Sequence, residues 1–234
     1  MENDLNFETF LFVSPKKIIL SVNQKKDFKS IYKNEIYFDN LSDRLNFEKI
    51  DNFLNENIFK VEKILDSFVQ KINITIFSED IFELNISVKK NNYNNTINDS
   101  VLIYLLNDAK DDCKESLRDK KIIHILIDNY LVDNNSYQEL PQNLMCESFS
   151  LDLSFICLPG NLIKDIEKIL ENYQISVNQY LSGRYVEEYS KKENLGFFQG
   201  MSKIIDGSNM NEVKLVQKIS KNKGFFEKFF SFFG

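Results

Sequence analysis

The chain has 234 residues, 43% of them hydrophobic, and a formal net charge of −6. That supplies apolar material for one fair-sized core or two small ones, and a pI near 5.1 argues against nucleic acid as a partner of the body. Cys113, Cys146 and Cys157 have no C-x-x-C spacing and read as small apolar fillers in a reducing compartment. The acidic opening Met1 to Asp4 is not a secretory signal, and no apolar run reaches the roughly eighteen residues of a membrane span.

In chain order, Phe7 to Val13, Ile18 to Val22 and Ser30 to Phe38 are β-rich runs punctuated by Ser14–Lys17 and Asn23–Asp27, which predicts a three-strand antiparallel meander. Ile50, Phe53, Leu54, Ile58, Val61, Leu65, Phe68 and Val69 form one helical stripe, followed by a buried strand from Ile72 to Phe77. Phe82 to Val88 alternates as a half-exposed strand, and the polar run Asn91–Asn95 reads as a loop and an internal boundary. Asn98, Asp99 or Ser100 then caps a helix whose face is Leu102, Leu105, Leu106, Ala109 and Cys113. Lys120 to Val132 and Ser148 to Leu158 are predicted strands. Pro159-Gly160-Asn161 turns into a helix carrying Leu162, Ile163, Ile166, Ile169 and Leu170, and Ile175 to Leu181 is a further strand. Arg184 to Lys192 reads as a helix, whereas Gly196, Gly200 and Gly207 make Leu195 to Ile205 a poor one.

Catalytic constellations are not evident. His124 is the single histidine and sits inside an apolar strand, which reads as a core or sheet-face histidine. With no cysteine cluster beside it, no ordinary metal site is expected. Neither G-x-x-x-x-G-K-[ST] nor G-x-G-x-x-G occurs, so no phosphate cradle is announced and no cofactor is expected. The pairs Asp111–Asp112 and Glu187–Glu188 are adjacent on helices and point apart, as solvated faces do.

The last eleven residues, from Gly224 to Gly234, carry a different signal. At 100° per residue, Phe225, Phe226, Phe229, Phe230, Phe232 and Phe233 fall within an arc of roughly 160°, opposite Glu227, Lys228 and Ser231. Residues 211–234 hold five lysines against two glutamates, a net of +3, which leaves −9 on the rest of the chain. An acidic body with a basic, aromatic end fits an amphipathic helix lying in an anionic membrane surface. The membrane-binding set expected from this pattern is the six phenylalanines with Lys221, Lys223 and Lys228. Docking of the same helix on the body or in a partner's groove is the other reading.

The order of elements from Lys120 to Leu181 resembles that of FtsA, the actin-like family of bacterial cell division. Lys121 to Asp133, with its early His124, resembles a strand of that family's inserted subdomain, and Ser148 to Leu158 looks like the next strand. Asn161 to Leu170 looks like the following helix, and Ile175 to Leu181 like the strand after it. Phe10 to Val22 is similar to the first hairpin of the actin-like lobe, Ile50 to Val69 to its first helix, and the aromatic tail to the family's terminal membrane-targeting helix. Where that hairpin carries an Asp-x-Gly-Thr phosphate loop, this chain holds Phe12, Ser14 and Pro15, and no counterpart of the second lobe's loop follows Leu195.

The resemblance implies an α/β (α+β) fold: a partial actin/ribonuclease-H-like lobe with an inserted strand–helix–strand–strand subdomain and a C-terminal amphipathic helix. The expected partition is residues 1–81 for the lobe, continued by 182–200, with 82–181 as the interaction subdomain, 201–223 as a flexible joint and 224–234 as the membrane helix. The function it implies is a non-enzymatic divisome adaptor, peripheral on the cytoplasmic face of the membrane at the division site, binding other division proteins and anionic lipid. Direct contact with FtsZ, which the family makes through the second lobe, is not implied. An open lobe edge invites completion in trans, by self-association or by another polypeptide. The alternatives are an actin-like pilus or secretion platform protein and a residual ATPase.

Overall fold

The computed structural model describes residues 6–39, 43–141 and 143–214. Over the described residues this α/β chain packs as two units, 6–82 with 158–208, and 83–157 with 209–214.

The first unit is built on β1 (Phe7–Val13), β2 (Lys17–Gln24), β3 (Ser30–Tyr37), β4 (Lys71–Ile76) and β9 (Ser176–Ser182), in the sheet order β3-β2-β1-β4-β9. β1 is antiparallel to β2 and β2 to β3, whereas β1–β4 and β4–β9 are parallel. An antiparallel meander followed by parallel strands returning through helices is the sheet of a ribonuclease-H-like lobe. The parallel returns need crossovers, which α1 (Phe47–Leu65) and α3 (Gly160–Glu171) provide. Phe10, Leu11, Leu20, Ile72, Ile74, Ile76, Leu54 and Leu181 are all but sealed from solvent and make this core.

Helix α1 starts where the Asn46 side chain accepts the Lys49 N–H at 3.0 Å, and stops at Asp66, whose φ of 51° is left-handed. It buries Ile50, Phe53, Leu54, Ile58 and Val61 as its period predicts. Phe68, expected on the same stripe, lies past the left-handed cap and is 77% exposed. The apolar period no longer governs once the backbone leaves the helix.

In the second unit, β5 (Phe82–Thr96), β8 (Met145–Pro159), β6 (Lys120–Val132) and β7 (Asn135–Tyr137) form a sheet in that order, accompanied by α2 (Asp99–Cys113). Asn98 caps α2 by accepting the Val101 N–H at 3.2 Å, and the helix buries Val101, Leu105, Leu106, Ala109 and Cys113. The expected loop at Asn91–Asn95 is strand instead. β5 runs through it with positive φ at Tyr93 and Asn94. The buried Asn92 amide holds the kink by donating to the Asn95 carbonyl at 2.5 Å.

The boundaries of the expected partition differ from these units. The expected partition puts residues 158–181 in the inserted subdomain. They pack with the first unit, because β9 pairs with β4 (Ile74 beside Tyr180, Thr75 beside Leu181). The insert is therefore β5–α2–β6–β7–β8. The expected joint at 201–223 is also ordered over its described part: α5 (Phe197–Ile205) follows α4 (Gly183–Lys192), and Glu212 forms a bridge to Leu126. Gly200, one of the glycines that argue against α5, has a packing reason. A methyl at Gly200 would press on Ser190 of α4, with Ser190 Cβ only 3.1 Å away, so its absence lets the two helices approach.

Candidate functional site

The hairpin joining β1 to β2 occupies the place that the sequence resemblance gives to a phosphate loop. Ser14 closes it: its N–H donates to the Lys17 carbonyl at 2.9 Å, its Oγ donates to the same carbonyl at 3.0 Å, and the Lys17 N–H donates back to Ser14 Oγ at 2.9 Å. Two amides that a phosphate would need are thus spent on the turn itself, and Pro15 has none to offer. Beside the turn, the Phe12 ring meets the edge of Phe197 at 5.5 Å and 81°. Phe10 packs on Phe198 at 5.9 Å, and Phe197 on Phe198 at 5.8 Å. Aromatic pairs of this geometry exclude water and add roughly 0.5–1.5 kcal/mol beyond buried area. An aromatic cluster therefore lies beside the hairpin where the resemblance places a phosphate loop. Phe12 and Pro15 were legible from sequence; Phe197 and Phe198 were not, because their helix was discounted.

His124 lies in β6 with 0% exposure, and its Nδ1 is 2.7 Å from Oε1 of Glu212. The histidine takes the core or sheet-face position expected of it, and the carboxylate beside it leaves no mark in the local sequence. Glu212 reaches it because Asn211–Val213 runs along β6, and only long-range pairing could reveal that. The thiols are interior: burial pushes Cys157 up to about 12 and raises Cys113 and Cys146, so none is disposed toward nucleophilic chemistry.

A groove of about 460 Å³ opens beside the end of α1, lined by Ile58, Phe59, Glu62, Phe68, Val69 and Tyr173 among others. Phe59 and Phe68 are 72% and 77% exposed there. Burial and the Asp51 carboxylate push the Tyr173 hydroxyl up to about 12, and that hydroxyl donates to Asp51 Oδ1 at 2.8 Å.

Among the described residues, no cluster of three or more His, Cys, Asp or Glu could hold a metal ion. No helix among them is long and apolar enough to cross a membrane. The expected membrane-binding residues Lys221, Lys223, Phe225, Phe226, Lys228, Phe229, Phe230, Phe232 and Phe233 lie outside the described residues.

Fold and site together define a ribonuclease-H-like lobe with an inserted α/β unit and an aromatic cluster at its first hairpin. No family model and no curated protein matches the chain. Among solved structures it is similar to the cytoplasmic domain of EpsL, an inner membrane component of the type II secretion system of Vibrio cholerae (11% identity, TM-score 0.37, covering 77% of this chain and 57% of that one). It is also similar to the PilM–PilN type IV pilus biogenesis complex (7% identity, TM-score 0.45, 80% and 50% covered). A third is a Bacteroides thetaiotaomicron protein with an actin-like ATPase fold and unknown function (11% identity, TM-score 0.39, 82% and 58% covered). The chain thus spans between 50% and 58% of the length of these three.

Proposed function

We propose that this chain is a non-catalytic adaptor of a multi-protein, membrane-associated assembly. In this reading its two-unit body offers surfaces to other proteins, and its C-terminal segment holds the complex on anionic lipid. The observation that carries the non-catalytic part is the Phe12–Phe197 pair between β1 and α5, next to a hairpin whose Ser14 and Lys17 amides are already bonded within the turn. A nucleotide's phosphates need several converging N–H donors and room for a cation. Two rings and a proline supply neither.

The lipid part rests on the sequence of residues 221–234, with six phenylalanines on one helical arc and lysines at its border. The protein part is supported by exposed apolar side chains on the body, Phe59 and Phe68 at the groove foremost. The test of the first part is calorimetric titration of ATP with Mg²⁺ into the full chain. The reading expects no saturable heat, and saturable binding would return the chain to the residual-ATPase alternative.

The setting has two versions, a pilus or secretion platform and a divisome. Affinity capture from the native membrane fraction, read by mass spectrometry, separates them. Co-purifying pilus or secretion components place the adaptor in the first, and division proteins place it in the second.

A further inference from the structure

One edge of β6 is covered by a short piece of the chain's own C-terminal region. Ile127 donates its N–H to the Asn211 carbonyl at 2.8 Å and Val213 donates to the Ile125 carbonyl at 2.9 Å, with Leu126 opposite Glu212 in antiparallel register. The side chains add three polar contacts. Glu212 Oε1 meets the buried His124 Nδ1 at 2.7 Å, the Tyr130 hydroxyl donates to Asn211 Oδ1 at 3.3 Å, and Asn211 Nδ2 donates to the Gln138 carbonyl at 2.8 Å.

What this segment lacks is apolar anchorage. None of residues 209–214 is buried, and Met210 is 88% exposed. On β6, Ile122 and Leu126 remain half-exposed. A strand held by main-chain bonds and one buried polar contact, with no apolar side chain sunk in a core, occupies its edge without sealing it. An extended segment that made the same bonds and also covered Ile122 and Leu126 would hold more firmly.

We propose that this stretch of β6 is an acceptor for an extended segment of a partner protein. The segment carries a carboxylate opposite Leu126, where it reaches His124, and Asn211–Val213 is the resident occupant that it replaces. The partner is thereby specified by chemistry: β conformation, antiparallel entry, and an Asp or Glu flanked by apolar side chains. His124 acts as the selector, since a buried imidazole pairs far better with a carboxylate than with an apolar group.

The test uses the full chain and a fluorescein-labelled peptide of its own residues 207–214, which carries the required carboxylate, read by anisotropy. An occupied edge lowers the apparent affinity in proportion to the fraction of molecules that are open. Glu212→Ala in the protein weakens the occupant and should tighten peptide binding about tenfold. A peptide carrying Glu212→Gln should lose that gain.

A second variant guards against misfolding. Leu126 and Glu212 form a non-hydrogen-bonded antiparallel pair, with Cα atoms about 4.5 Å apart, within reach of a disulfide. The Leu126→Cys, Glu212→Cys double variant should bind no peptide when oxidised and recover binding on reduction. Equal binding to the oxidised form, or no tightening with Glu212→Ala, overturns the proposal.

Discussion

Asn57 is a polar residue at 0% exposure on the buried face of α1, and both polar atoms of its amide are hydrogen-bonded. Oδ1 accepts the Tyr32 hydroxyl at 2.5 Å and the Asn34 amide at 2.6 Å from β3, and Nδ2 donates to the Phe53 carbonyl at 2.7 Å. One side chain thus ties the first helix to an edge strand. Asn57→Ala should lower stability by about 1–3 kcal/mol, because it leaves two donors without their acceptor. A reduced urea midpoint with an unchanged slope is the expected readout.

Glu8 on β1 makes a pH-dependent prediction. Burial raises its pKa above the ordinary 4.5, only partly offset by the hydrogen bond that Ser202 Oγ donates at 2.8 Å. A carboxyl whose folded pKa is raised contributes stability that is complete below its unfolded pKa and lost as pH rises through the folded value. Glu8→Gln, which still accepts from Ser202, should therefore be more stable than the parent at pH 7, with the difference vanishing below about pH 4.5. Urea midpoints measured across that range check the sign.

At the scale of elements, the pairing of β1 with α5 is the feature on which the non-catalytic reading turns. A double-mutant cycle on Phe12→Leu and Phe197→Leu should give a coupling of about 0.5–1.5 kcal/mol if the rings interact as their edge-on geometry implies. Additive effects would mean that the rings are merely neighbours. Sequence reading found one half of this pair and missed the other, for a physical reason. Phe12 stands in a strand whose alternation is local and visible, whereas α5 contains Gly200, which costs helix propensity on its own. That cost is recovered by packing against Ser190 on α4, a contact between two helices that apolar period within either one does not reveal. The caps were more legible, since Asn98 and its helix lie within one turn of each other.

At the scale of the whole molecule, the α/β class, the opening meander and the order of most elements were readable from apolar period and turn residues. Sheet membership was not. The strand from Ile175 to Leu181 follows the insert in sequence, yet its partner is β4, and parallel pairing across a long crossover leaves no local mark. The strand-like docking of Asn211–Val213 escaped notice for the same reason: three polar-flanked residues carry no β signal until an edge is available to them. The residue types of the hairpin were legible because they depend on identity at fixed positions: Phe12, Ser14 and Pro15 stand there wherever the rest of the chain goes.

The adaptor reading requires the chain to reach lipid through its terminal rings. Co-sedimentation of the full chain with phosphatidylglycerol-containing liposomes, beside a Phe229→Asp, Phe230→Asp variant, tests this most directly. The account predicts that the parent pellets with the vesicles, less so as salt screens the lysines, and that the variant stays in the supernatant. A variant that pellets as well as the parent, or a parent that ignores the vesicles at low salt, would contradict it.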